Sequence, residues 1–367
     1  MNTSECSVVS HECLGTSVSP LVRAKAFVRH NTSPLRPAAL IVAALLAAGP
    51  LSAQTLKIAT VTPEGSAWMR DMRAAAAEIR ERTGGQVQVK FYGGGVMGDD
   101  LRVLRKIRVG QLQGAVLTSS ALAGRYPDVL QYGLPLLFRS RDEMLFVRQR
   151  FDPVLAEGLL DSGYETFGFG SLGFARIMSG KKPVVRLEDA RGLKIWVPEG
   201  DDIGLSAMRS VGLAPVQLPI SDVLVGLQTG LVEVIVTPPS GAILLQWHTR
   251  LRYVTDFPVV FAFGLLAMDS RAFGRLSEPD QAVVREVFGA LAAQLDRRDA
   301  QENLEAGQAL KNSGLEYLAP TSDEVLRWRR AFTRIYPELV REAGMSRGMH
   351  EEIVQALDDF RGQSGSG

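Results

Sequence analysis

Few side chains in this 367-residue sequence have the types and spacing that catalysis or metal binding requires. Both cysteines, Cys6 and Cys13, lie near the amino terminus, and two of the four histidines, His248 and His350, are the only ones beyond residue 30. A thiolate site, a histidine-rich metal site and a Ser–His–Asp triad each need more of these residues than the chain supplies. We therefore expect no catalytic residues, no metal site and no cofactor.

Two glycine-rich stretches have the composition of phosphate-binding loops. Gly168–Gly173 (GFGSLG) has the spacing of a dinucleotide-binding loop, but strand-like sequence follows it where a helix is required. These glycines are expected to let a strand cross between two lobes. Residues 93–98 (GGGVMG) precede a predicted helix, but the carboxylates of Asp99 and Asp100 at its amino terminus oppose an anion. This stretch predicts a loop followed by a capped helix.

Arg176 and Trp196 are better suited to binding a ligand. Arg176 lies in an apolar-rich predicted strand, where either a ligand carboxylate or a structural salt bridge would compensate its charge. Trp196 lies at the carboxyl end of the predicted strand in GLKIWVP, the end at which open α/β sheets bind ligands, although a core position is the alternative. Asp201 and Asp202 in the next turn could coordinate a cation or simply face solvent.

The hydrophobic pattern predicts an α/β protein that positions these residues. Alternating strands and helices up to residue 120, with Ser66 and Asp99 or Asp100 as helix caps, predict a parallel sheet. Ser277 caps a helix predicted to reach about Lys311, which is longer than one small domain is wide. The sequence therefore predicts two α/β lobes, with a cleft between them for a small ligand.

Composition and the chain ends add further expectations. The net charge of +1 gives no reason to expect a nucleic-acid partner. Residues 1–53 resemble a secretory signal peptide with an over-extended start, since an apolar run from Ala38 to Ala48 precedes small residues. We expect cleavage after Ala53 and a periplasmic location. Residues 361–367 predict a disordered tail.

Several segments, in their order along the chain, resemble the DctP-type substrate-binding proteins of tripartite ATP-independent periplasmic (TRAP) transporters. The resemblance covers about Leu56 to Gly344, and its most specific segments are YGGGVMGDDLRVLRKIRVGQLQGAV, LPLLF, FARIMSGKKPVVRLEDARGLKIWVP, VGLAPVQLPISDVLVGLQTGLVEVIVTPP and the helix after LSEPDQ. It implies a type II periplasmic binding fold: two lobes, hinge-crossing strands and a long helix spanning both lobes. The predicted lobes are 54–173 with 263–302, and 174–262 with 303–360.

The resemblance also implies a function and a site. Such a protein captures an organic acid in the cleft and delivers it to TRAP permease subunits driven by an ion gradient; an enzyme or a regulatory partner on the same fold is the alternative. Arg176 matches one cleft arginine of the family, whereas Trp196, Glu199 and Thr237 replace its usual arginine and two asparagines. We therefore expect a more apolar ligand whose carboxylate contacts Arg176. The remaining predicted contacts are Trp68, Thr118, Ser119 and Ile220.

Overall fold

The structure, a computed structural model, describes residues 53–364. Residues 1–52 of the predicted signal peptide and residues 365–367 of the predicted tail lie outside the described residues. Strands β1 to β9 are Gln54–Ala59, Val87–Tyr92, Gly114–Thr118, Tyr164–Ser179, Lys194–Pro198, Ala214–Leu218, Val234–Thr237, Tyr253–Asp269 and Glu316–Leu318. In this part of the chain no helix has the length and apolar character needed to cross a membrane.

Helices surround the strands, and several begin at the predicted caps. In chain order, α1 to α12 are Ala67–Arg82, Asp100–Arg108, Ser119–Leu122, Arg141–Asp161, Asp202–Ser210, Val223–Thr229, Pro239–Leu244, Ser270–Phe273, Glu278–Asn312, Ser322–Thr333, Tyr336–Glu342 and Arg347–Ser364. Short 3-10 helices lie at Pro127–Gly133, Leu187–Ala190, Ile220–Asp222 and Trp247–Arg250. Ser66, Asp99 and Ser277 each accept a backbone N–H three residues on, at the starts of α1, α2 and α9, as predicted.

The strands form one mixed sheet in the order β2-β1-β3-β8-β4-β7-β5-β6, with β9 paired to β8. Strands β1, β2 and β3 pair in parallel at one end, and β5, β6 and β7 do so at the other. We call the parts of the protein around these two groups lobe I and lobe II. Between them lie β4 and β8, which are antiparallel and 16 and 17 residues long. Their length lets both strands run from one lobe to the other. The residue boundaries of the lobes given above stay predictions.

The glycines of GFGSLG lie within β4, where it crosses between the lobes. The pairing with β8 is irregular between Thr166 and Phe169 and again between Ser171 and Gly173. Gly173 has φ of 95°, and a Cβ added there would lie 2.3 Å from Nδ2 of Asn303, so no larger residue fits without movement. The stretch is therefore part of a strand rather than a dinucleotide-binding loop.

The long helix α9 fixes this crossing segment. It packs against β4 as well as against α1 of lobe I and α7 of lobe II, which confirms that it spans both lobes. Asp296 and Asp299 accept hydrogen bonds from the backbone N–H and the hydroxyl of Ser171, at 3.2 and 2.6 Å. The Asn303 amide donates to the carbonyl of Leu172 at 3.0 Å. Polar residues of α9 thus provide hydrogen-bond partners for the segment of β4 whose pairing with β8 is irregular.

The carboxyl-terminal residues correct one expectation. The last helix, α12, continues to Ser364, so residues 361–364 are helical rather than part of a disordered tail. The Arg361 guanidinium donates to the carboxylate of Glu143 on α4, and its charge helps to lower the pKa of that carboxyl although burial opposes the shift. Local sequence could not reveal this ion pair, because its two residues are 218 positions apart. The small and polar residues of the segment alone therefore suggested a tail.

Candidate functional site

A cavity of about 750 Å³ opens where strand ends from both lobes meet. Thr60–Pro63 follow β1, Thr118 ends β3, Trp196–Pro198 end β5, and Thr237 ends β7, and all of them line the cavity. Because these are the carboxyl ends of parallel strands, the cavity has the position at which open α/β sheets bind ligands. Its size suits one small organic molecule.

Most of the predicted contacts converge on this cavity although they are far apart in the chain. Those that line it are Trp68, Thr118, Ser119, Trp196, Ile220 and Thr237. Lobe I supplies the first three of these side chains, and lobe II supplies the others. The folded chain brings them together, while their contact with a ligand stays a prediction.

Trp196 lines the cavity and is also part of the lobe II core. Only 6% of it is exposed, and its ring lies edge-to-face against Trp247, with ring centroids 5.0 Å apart. Its Nε1–H donates to the carbonyl of Leu218 at 3.0 Å. Trp196 is therefore both a core residue of lobe II, where it packs among Trp247, Val223 and Ile235, and a lining residue of the cavity, while its contact with a ligand stays a prediction.

Arg176 forms an ion pair beside the lining residues. Its Nε donates to Oδ1 of Asp256 at 3.0 Å, the side chain is 27% exposed, and it is not among the residues that line the cavity. The neighbouring Ala175 and Ile177 do line it. This salt bridge was one of the two arrangements expected for Arg176, which also lies opposite Thr237, a lining residue, on the neighbouring strand; its contact with a ligand stays a prediction.

Glu199 also lies outside the cavity lining. It is exposed and borders a small adjoining pocket, together with Ser221 and with Asp99, the N-cap of α2. Its backbone N–H donates to the carbonyl of Leu218 at 3.2 Å. A Cβ added at Gly200 would lie 3.4 Å from Leu101 of lobe I, so this turn is where the lobes approach each other at the cavity edge.

Four acidic side chains were not predicted as part of the site, yet they line the cavity: Asp100, Asp201, Glu302 and Glu305. Asp100 accepts hydrogen bonds from the N–H and hydroxyl of Thr118 at 3.2 and 2.7 Å. Glu302 accepts from Nε1 of Trp68 at 2.9 Å and pairs with Arg298 at 2.7 Å. The acidic start of α2 was a local signal for Asp100, but no local signal places Glu302 of α9 beside Trp68 of α1.

Burial changes the titration of two of these carboxyls. Desolvation raises the pKa of Asp201 to about 6, although a hydrogen bond from the N–H of Gly204 opposes the shift. Desolvation also raises the pKa of Asp100, against the hydrogen bonds from Thr118. Asp201 caps α5, and within residues 53–364 no group of acidic, histidine or cysteine side chains could hold a metal ion. Of the two residues considered for a cation, Asp201 is the N-cap of α5 and accepts the N–H of Gly204.

The fold and the cavity define a solute-binding protein. A profile of the bacterial extracellular solute-binding proteins, family 7 (DctP), matches residues 58–343, close to the extent of the predicted resemblance. The chain belongs to this family.

Individual proteins show the same relationship. The chain is 26% identical over 298 residues to the C4-dicarboxylate-binding periplasmic protein DctP of Rhodobacter capsulatus, covering 78% of this chain and 85% of that protein. It is 24% identical over 217 residues to the uncharacterized protein YiiZ of Salmonella typhimurium, covering 58% of this chain and only 65% of YiiZ. The galactonate complex of the sugar acid binding protein DctPAm from Advenella mimigardefordensis superimposes with a TM-score of 0.77 at 18% identity, covering 84% and 98% of the two chains, and so supports the fold.

Proposed function

We propose that this chain is the periplasmic component of a TRAP transporter and captures one small organic molecule between its lobes. The cavity at the carboxyl ends of strands from both lobes carries this proposal, because side chains of both lobes can contact one ligand there. Family membership supports delivery of the ligand to an ion-gradient-driven permease. The chain binds its solute without altering it.

The relatives support the choice of ligand. A dicarboxylate and galactonate are the ligands named for two of them, and both are small organic acids. These ligands support an organic acid for this chain too, while a contact of its carboxylate with Arg176 stays a proposal, because that guanidinium is paired with Asp256 in the structure. Trp196, Trp247 and Leu244 contribute apolar walls, so the proposed acid has an apolar part.

Native mass spectrometry of the protein isolated from the periplasm of its own organism tests this function. We expect one bound molecule per chain, released unaltered by denaturation and recovered unaltered after incubation with fresh protein. Uptake of that molecule by cells should require both an ion gradient and this chain. Conversion of the molecule by the purified protein would contradict the proposal in favour of an enzyme.

The proposed location has its own test. Because the apolar run before Ser52 and Ala53 has the pattern of a signal peptide, the exported chain should begin near Gln54. Amino-terminal sequencing of the protein from a periplasmic extract measures this directly. Recovery of the chain in the membrane fraction with residues 38–48 retained would contradict it.

A further inference from the structure

The two strands that cross between the lobes have a weak point at the same level of the sheet. Gly170 on β4 pairs with Gly264 on β8, so neither strand carries a side chain at this pair. Gly173 has φ of 95°, and the register of the two strands shifts between Ser171 and Gly173. Because glycine and irregular pairing leave the backbone freer than a regular ladder does, residues 170–173 are the part of β4 best suited to act as a pivot.

Two arginines of α4 fix the start of this pivot. The buried guanidinium of Arg148 pairs with Asp296 of α9 at 2.6 Å, and Arg141 contacts Asp299, a buried residue of α9, at 3.3 Å. Both aspartates also accept hydrogen bonds from Ser171. Since buried charged groups lose much of their stabilisation when a partner is removed, these contacts join α4, α9 and β4 firmly at the level of Ser171.

Asn303 lies one turn further along α9 and bridges the pivot and lobe II. Its amide donates to the carbonyl of Leu172 on β4 at 3.0 Å, and its Oδ1 accepts the backbone N–H of Ser240 on α7 at 3.1 Å. The amide nitrogen also donates to the carbonyl of Asp299 at 2.9 Å, which orients the side chain. Leu172 and Ser240 line the cavity, whereas Asn303 is not among the lining residues, so Asn303 can influence a bound solute only through them.

We propose that Asn303 is a positioning residue of the solute site, which sets the angle between the lobes by tying the pivot of β4 to the first turn of α7. This inference rests on the proposed solute-binding function and names a residue on which capture depends. The bridge holds Leu172 and Ser240 together at the cavity wall. Without it, α7 and the pivot move independently, and a smaller fraction of molecules presents both lining segments in the orientation that binds solute.

Distances between spin labels on the two lobes test this role without a ligand. Both cysteines precede residue 54, so the chain from residue 54 onward is labelled only at introduced cysteines. Val109, which follows α2 in lobe I, and Val225 on α6 in lobe II are 65% and 58% exposed and can carry the labels. The Val109→Cys, Val225→Cys protein is dialysed in urea to remove bound solute and then refolded. Double electron–electron resonance should give one narrow distance distribution, and Asn303→Ala should at least double its width.

A second asparagine of α9 provides the matched control. Asn312 is exposed and accepts a hydrogen bond from Gln308 of the same helix, so Asn312→Ala should leave the distribution unchanged. Asn303→Asp replaces Asn303→Ala if the latter unfolds. Its carboxylate can still accept from the N–H of Ser240 but cannot donate to Leu172, so the same broadening is expected.

A merely structural role of Asn303 would lower stability in urea and leave the distance distribution unchanged. That result in a folded Asn303 variant would overturn the inference, and so would equal broadening in Asn312→Ala. Neither result decides whether native mass spectrometry finds a bound solute, so failure of this inference is distinguishable from failure of the proposed function.

Discussion

Replacing Trp196 tests how much this indole stabilises the lobe II core and how much it contributes to the wall of the cavity. Trp196→Ala removes a side chain that is 6% exposed and packed against Trp247, a change that costs about 3–5 kcal/mol of unfolding free energy in typical cores. It also removes the hydrogen bond to the Leu218 carbonyl, worth about 0.5–1.5 kcal/mol, although that oxygen still accepts from the N–H of Glu199. Trp196→Phe should lose roughly 1–2 kcal/mol, since a smaller ring keeps part of the packing.

Urea unfolding followed by circular dichroism measures both losses. Trp68→Phe is the matched control, because Trp68 also lines the cavity and donates to an acceptor but is only half-buried. We expect it to lose less stability than Trp196→Phe, since Glu302 remains paired with Arg298. A double-mutant cycle between Trp196 and Trp247 should show a coupling of about 0.5–1.5 kcal/mol. A loss below about 1 kcal/mol in Trp196→Ala would refute the core assignment.

The remaining predictions concern ionisation, backbone strain and closure. Arg176→Ala should change stability by less than about 1 kcal/mol, because its ion pair is partly exposed. A tenfold loss of affinity for the solute recovered by native mass spectrometry would support a ligand contact of Arg176, and an unchanged affinity would contradict it. Gly173→Ala should destabilise the protein by at least about 1 kcal/mol more than Gly163→Ala in urea unfolding. The two glycines have similar φ values, 95° and 93°, but only at Gly173 would the added Cβ meet a close neighbour. Equal losses of stability would contradict this. Burial raises the pKa of Asp201 to about 6, so the folded state binds more protons and stability should fall as pH rises from about 4 to 6. Asp201→Asn should weaken this slope in urea titrations, and Asp202→Asn should weaken it less, because the charge of Asp202 is only a minor cause of the raised pKa. Small-angle scattering should show a smaller radius of gyration with saturating ligand, and equal radii would argue against lobe closure.

Local sequence determined the elements whose signals lie within a few residues. Ser66, Asp99 and Ser277 cap their helices as predicted, because an N-cap side chain bonds a backbone N–H only three residues away. The alternation in β5 also placed Ile195 and Trp196 in separate cores on opposite faces of the sheet. Such periodicity assigns each side chain to a face without saying what covers that face.

The chemistry of the site depended on contacts between distant parts of the chain. The sequence offered Arg176 two kinds of partner, and only the fold brought Asp256, 80 residues away, within 3.0 Å. Trp196 became mostly core because the 3-10 helix that contains Trp247 packs on it. Folding also brought acidic side chains of α2, the N-cap of α5 and α9 to one cavity. Charge balance and burial are properties of the assembled surroundings, so the tertiary structure decides them even where the sequence has already fixed the strand, the face and the cap.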